Sequence, residues 1–157
     1  MNTLIVYATT HGTTGKVAQK IKEGLNVPCT LINLKTDNLP DLSEYQRIIV
    51  GGSVHAGQIQ SRIKDFCRKN TLELLQKQLA LYICCMHENE LAEQQFTNAF
   101  PEILRNHAQS KKIMGGEYLF EKMNFFQKIL VRKIAGVNET QSRINEAAIC
   151  EFISEID

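Results

Sequence analysis

Between Thr9 and Lys16 the chain reads TTHGTTGK: four threonine hydroxyls, one histidine and two glycines in a short stretch. The apolar run Thr3–Ala8 feeds into it and a helical pattern leaves it. The first turn of a helix carries backbone N–H groups without intrahelical partners and the positive end of the helix dipole, so these residues have the chemistry of an anion site. Two later stretches add groups that could face the same ligand: SVHAG at Ser53–Gly57 and CCMHEN at Cys84–Asn89. His55 and His87 are the side chains in these loops suited to proton transfer near neutral pH.

Three phosphate loops compete for TTHGTTGK. A Walker loop needs Gly-x-x-x-x-Gly-Lys-Ser/Thr; Gly15 and Lys16 fit, but Thr10 stands at the first glycine and Val17 at the magnesium hydroxyl. The dinucleotide fingerprint Gly-x-Gly-x-x-Gly finds only Gly12 and Gly15. The third pattern, about Thr/Ser-x-Thr-Gly-x-Thr after a first strand, is met by Thr9, Thr10, Gly12 and Thr14. Hydroxyls and backbone N–H groups there can saturate a phosphate monoester with little need for cations.

These loops need a scaffold. Five runs, Thr3–Ala8, Cys29–Asn33, Arg47–Ser53, Leu79–Met86 and Lys112–Glu117, read as strands, and most are apolar nearly throughout, as strands covered on both faces are. Helical spacing separates them at Thr13–Leu25, Ser61–Lys69 and Glu90–His107, the last interrupted by Pro101, and returns at Asn145–Ile156. This alternation predicts a single α/β domain spanning the whole chain, with a parallel sheet and right-handed crossovers. Ligands of such sheets bind beyond the carboxyl ends of the strands, which is where the threonine loop falls.

A chain of 157 residues is long enough to bury roughly two thirds of its unfolded surface. A formal charge of +1 gives no general pull toward nucleic acid. Five cysteines without a Cys-x-x-Cys pair read as buried, reduced thiols, and MNTLIVYATT lacks the basic start of a secretory signal, so a cytoplasmic location is expected. The longest apolar run, Leu79–Met86, is far shorter than a spanning helix.

On Thr9, Thr10, Gly12 and Thr14 the chain resembles the flavodoxin family, with His11 where a small hydroxyl or acid is usual. IIVGGSVHAGQI at Ile48–Ile59 resembles that family's third strand and first flavin loop, and CCMHEN occupies the place of the second. The resemblance implies a flavodoxin-like three-layer sandwich with a five-stranded parallel sheet in order 2-1-3-4-5, and FMN as cofactor. It assigns the phosphate to Thr9, Thr10, His11, Gly12, Thr13 and Thr14. It assigns the ring to Ser53, Val54, His55, Ala56, Gly57, Met86, His87 and Asn89. There is no tryptophan to stack on the ring, and the chain lacks the acidic coat common in electron-carrier members.

GGEYLFEKMNFFQKILVRKIAGVNET, Gly115–Thr140, resembles the menaquinone-dependent protoporphyrinogen IX dehydrogenase branch, which shares the Gly51, Ser53 and Gly57 spacing. That likeness implies an FMN-dependent oxidoreductase passing hydride equivalents from a porphyrinogen to a membrane quinone. The alternative is a non-enzymatic electron carrier with a redox partner; a module that has lost FMN is disfavoured by the intact loop. Glu121–Ala135 is expected to form a helix with Met123, Phe126, Ile129, Leu130 and Ile134 on one face and Asn124, Lys128 and Arg132 opposite. Two fates are open to its apolar face: packing on the sheet, as amphipathic helices usually do, or contact with an apolar substrate or an anionic membrane, placing the protein at the membrane's inner surface.

Overall fold

A computed structural model describes residues 1–157. Its elements run β1 (Thr3–Tyr7), α1 (Thr13–Gly24), β2 (Cys29–Asn33), β3 (Arg47–His55), β4 (Gln58–Ile59), α2 (Ser61–Lys69), α3 (Thr71–Leu74) and β5 (Gln78–Cys84). They continue with α4 (Asn89–Ala99), α5 (Glu102–His107), β6 (Ser110–Ile113), β7 (Glu117–Tyr118), α6 (Phe125–Ala135), β8 (Gln141–Ser142) and α7 (Glu146–Ile156). The main strands lie in the order β2-β1-β3-β5-β6, all parallel. Numbered among themselves they follow the expected 2-1-3-4-5; the short β4 folds back antiparallel on β3 and is a local hairpin.

Alternation along the central strands divides the core. Leu4, Val6, Ile48, Val50, Leu79, Leu81 and Ile83 point to one face, where Ile63 and Phe66 of α2, Phe96 of α4 and Leu104 of α5 cover them. Ile5, Ile49, Ala80 and Tyr82 point to the other, under Val17, Ala18 and Ile21 of α1 and Ile149 and Phe152 of α7. The result is a three-layer sandwich with no helix long and apolar enough to cross a membrane.

Gly51 is a tight point of this core. A methyl group built there would lie 1.9 Å from the Tyr82 ring, which crosses over it from β5. Only a residue without a side chain fits in β3 at that level. Tyr82 uses the space to reach under α1, donating its hydroxyl hydrogen to the Thr14 carbonyl at 3.3 Å.

The structure differs from expectation after β5. The last sheet strand is Ser110–Ile113, not Lys112–Glu117. Gly115, at φ 72°, turns the chain out of the sheet, and Gly116 passes against the Cys85–Met86 backbone where a side chain would collide. Glu117 therefore belongs to β7, which pairs antiparallel with β8 in a separate ribbon. The ends of this excursion are pinned together, because Arg143 N donates to Gly116 O at 2.8 Å and Asn145 N to Met114 O at 2.9 Å.

The helix expected over Glu121–Ala135 starts at Phe125. Asn124 and Gln127 form a capping box, and Phe120–Lys122 is instead a separate 3-10 turn. Packing on the sheet is ruled out, since α6 has no buried residue. Phe125, Phe126 and Ile134 are 70%, 79% and 68% exposed, as only an unpartnered face would be. Pro101 separates α4 from α5 as the sequence indicates.

Candidate functional site

The carboxyl ends of β1, β3 and β5 open onto one cavity of about 400 Å³. Thr9, Thr10, His11 and Thr13, the hairpin residues Ser53 to Gly57, Met86–His87, and residues of β7 and α6 line it, with β7 against the threonine loop. Gly12, Thr14 and Asn89, expected with this group, do not line it. Gly12 is the N-cap of α1 at φ 101°, the left-handed geometry that turns the loop into the helix. Thr14 is fully buried beneath the loop, its hydroxyl without a partner. Asn89 begins α4 on the exposed surface at φ 54°, a conformation asparagine tolerates.

The loop is internally braced. Thr9 Oγ1 accepts from Gly12 N at 2.8 Å, and Lys16 N donates to Gly12 O at 2.9 Å as α1 begins. The Thr13 hydroxyl donates to Glu117 Oε1 at 3.0 Å, and Lys16 Nζ pairs with the same carboxylate at 3.1 Å. Burial pushes the Glu117 pKa up, but the hydrogen bonds from Lys16, Thr13 and Ser142 and the Lys16 charge outweigh it and hold this carboxyl below its usual range. Glu117 is anionic at neutral pH.

The middle of the cavity rests on the β3–β4 hairpin. Val54 pairs with Ile59 and His55 with Gln58, leaving a two-residue turn at Ala56 and Gly57 with φ 49° and 77°. Two successive positive φ angles match the twist of a tight hairpin. Gly57 adopts this freely and leaves open space above its backbone, whereas Ala56 is strained by its Cβ. Ala56→Gly is accordingly expected to raise stability by about 1 kcal/mol or slightly less, the unfolded-state entropy of glycine offsetting part of the gain. A urea midpoint unchanged or lowered would show that the turn carries no such strain.

Gln60, just after β4, fixes the end of β3. Its Oε1 accepts from Ser53 N at 2.9 Å, while its Nε2 donates to Ala8 O at 3.0 Å and to Ser53 Oγ at 2.6 Å. Ser53 Oγ lies 3.0 Å from His55 Nε2. With its oxygen already accepting from Gln60, the serine hydroxyl satisfies every partner by donating to Nε2, which leaves the His55 proton on Nδ1. The His55 ring edge is open, but the surrounding walls desolvate it and His11, 6.2 Å away between centroids, adds charge repulsion; both lower its pKa. His11 is lowered by burial and then by the charges of Lys122 and Lys35, against a hydrogen bond with the Lys122 backbone. Both imidazoles are neutral at pH 7.

The two thiols in the wall are inert. Burial pushes Cys84 up to about 12 and Cys85 up to about 11, so neither supplies a thiolate at neutral pH. No group of three His, Cys, Asp or Glu side chains is arranged to hold a metal ion. Sequence reasoning missed Gln60, Glu117 and Tyr118. Gln60 carries no motif, Glu117 reads as the end of a sheet strand, and Tyr118 falls just beyond that strand with no role indicated. Tyr118 supplies the one benzene-type ring in the cavity, and Met123, Leu130, Val131 and Ile134 the apolar wall.

A doubly wound sheet with an anion loop after its first strand and a hairpin after its third defines the flavodoxin-like class. Residues 4–145 match the family model described as Flavodoxin domain, and the chain belongs to that family. Among solved structures, a short-chain flavodoxin associated with a PDU bacterial microcompartment aligns over 99% of this chain and 96% of its own at TM-score 0.62 and 14% identity. Flavodoxin 1 from Bacillus cereus aligns over 99% and 97% at TM-score 0.58 and 14% identity. Among characterised relatives, protoporphyrinogen IX dehydrogenase [quinone] from Leishmania major is 23% identical over 88% of this chain. Its Escherichia coli K12 counterpart is 28% identical over 52%. These matches span 65% and 47% of the length of those two relatives.

Proposed function

We propose that this protein is an FMN-dependent oxidoreductase that moves hydride equivalents from a porphyrinogen-type substrate to a quinone. The observation that carries the reading is the shape of the cavity: the threonine loop, the β3–β4 hairpin and an apolar wall from α6 bound one continuous space. The family membership and the likeness to two protoporphyrinogen IX dehydrogenases support it. The residues suit FMN on their own chemistry. Thr9, Thr10 and Thr13 offer hydroxyls beside the free N–H groups of α1, and the open backbone at Gly57 lets a flat ring approach closely.

FMN, when bound, supplies exchange of a hydride or of single electrons. The chain's residues do the rest. Thr9 to Thr13 would hold the phosphate and so set where the ring lies. The Gln60–Ser53–His55 relay holds Nδ1–H of a neutral imidazole as a donor at the mouth of the hairpin. Met123, Leu130, Val131 and Ile134 exclude water from the far side and favour an apolar, bulky substrate. A carrier that only exchanges single electrons needs an exposed ring edge and no such wall, which favours the enzyme over the carrier.

The outer side of α6 suits a membrane surface, where a quinone would be met. Its exposed Phe125, Phe126 and Ile129 stand beside Lys128, Arg132 and Lys133.

The purified protein is expected to take up FMN in one-to-one ratio and not FAD, since one phosphate-sized loop is present and no second fingerprint exists for an adenylate. Chromatography of the released cofactor decides this; FAD, or no flavin uptake at micromolar concentration, would sink the proposal.

A further inference from the structure

Phosphate sites of this loop type use hydroxyls and backbone N–H groups, yet here a short segment brings two opposite charges to the loop. Glu117 opens it and Lys122 closes it. Glu117 accepts the Thr13 hydroxyl hydrogen at 3.0 Å and holds Lys16 at 3.1 Å, with only 5% of its side chain exposed. Lys122 arches over the other side: a methyl group built on Gly12 would lie 3.4 Å from its Nζ.

A threonine hydroxyl has a single hydrogen. Thr13 can donate it to the Glu117 carboxylate or to a ligand oxygen, but not to both at full strength. The carboxylate thus takes the hydrogen bond that a phosphate at the start of α1 would use. Arrival of a phosphate would also place two anions side by side, and their repulsion pushes Glu117 away while the Lys122 ammonium is drawn in.

We propose that the Glu117–Lys122 segment is a strap that reads the charge of the incoming group: Glu117 holds Thr13 until a phosphate ester replaces it, and Lys122 then closes on that phosphate. The inference rests on the flavin reading and deepens it, naming residues that set the preference for a phosphorylated over an unphosphorylated flavin.

The test compares FMN and riboflavin, using quenching of flavin fluorescence on the unaltered protein and on Glu117→Gln and Lys122→Gln. Glu117→Gln is expected to tighten FMN about tenfold and Lys122→Gln to weaken it about fivefold, with riboflavin changing less than about twofold in either. Lys122 is exposed, so its variant keeps the fold even if loss of Glu117 disturbs β7. Hydrogen exchange supplies a second readout: FMN should change protection at Glu117–Lys122, and riboflavin should not. Equal effects of Lys122→Gln on both flavins, or equal protection changes from both, overturns the strap while leaving flavin binding intact. If the unaltered protein binds neither flavin, the reading beneath the strap falls and the strap with it.

Discussion

Gly51→Ala is expected to cost about 3 kcal/mol or more, a large share of the stability of a domain this size. Neither side of the contact can yield. Gly51 is locked between β1 and β5 by parallel pairing, opposite Tyr7 on one side and Tyr82 on the other. Tyr82 is fully buried beneath α1 and α7, with Phe152 packed edge-on at 6.1 Å. A methyl group at 1.9 Å from the ring must therefore displace the ring itself. Displacement would break the Tyr82 bond to the Thr14 carbonyl and loosen the first turn of α1, so flavin affinity should fall together with stability. Urea unfolding of Gly51→Ala checks the first effect, and flavin titration the second. Adding Tyr82→Leu removes the clashing ring atoms and should recover part of the lost stability; a single variant as stable as the parent would refute the packing argument.

The second large effect concerns the outer side of α6. Replacing Lys128, Arg132 and Lys133 by Glu together is expected to abolish binding to anionic vesicles, because each basic residue near such a surface contributes about 1 kcal/mol and the reversals turn attraction into repulsion. Cosedimentation with phosphatidylserine vesicles provides the measurement, and added salt should weaken binding of the unaltered protein in parallel. FMN content should stay unchanged, since none of the three lines the cavity. Vesicle binding retained by the triple variant, or absent from the unaltered protein, would remove the membrane from the proposal and favour a soluble electron-transfer partner.

How far the sequence could be read depended on how local each cause was. The strands followed from apolar runs such as Ile48–Val50, whose continuous burial is a property of the run itself, whereas their order came from the family resemblance carried by the threonine loop. The threonine loop was legible because hydroxyls, glycine and helix start are adjacent in the chain. Gln60 was not, since its role depends on three partners that come together only after β3 turns back on itself. Glu117 was misplaced for a similar reason: Lys112–Glu117 looks like one strand until Gly115 and Gly116, wedged against the Cys85–Met86 and Arg143 backbones, force the chain out of the sheet. The fate of α6 was undecidable from its own pattern, because an apolar face looks the same whether or not another element meets it.

The two backbone bonds that join Met114 to Asn145 and Gly116 to Arg143 close the stretch between them at its base, while Glu117 ties it to Thr13 and Lys16. Its ends stay in contact whatever lies in the middle, so lengthening or rewriting it adds little loop-closure entropy and leaves the sheet's own hydrogen bonds untouched. A doubly wound sheet of this kind could acquire a new client or a new docking address by exchanging one loop closed at its base, provided the replacement keeps a partner for Thr13 and Lys16.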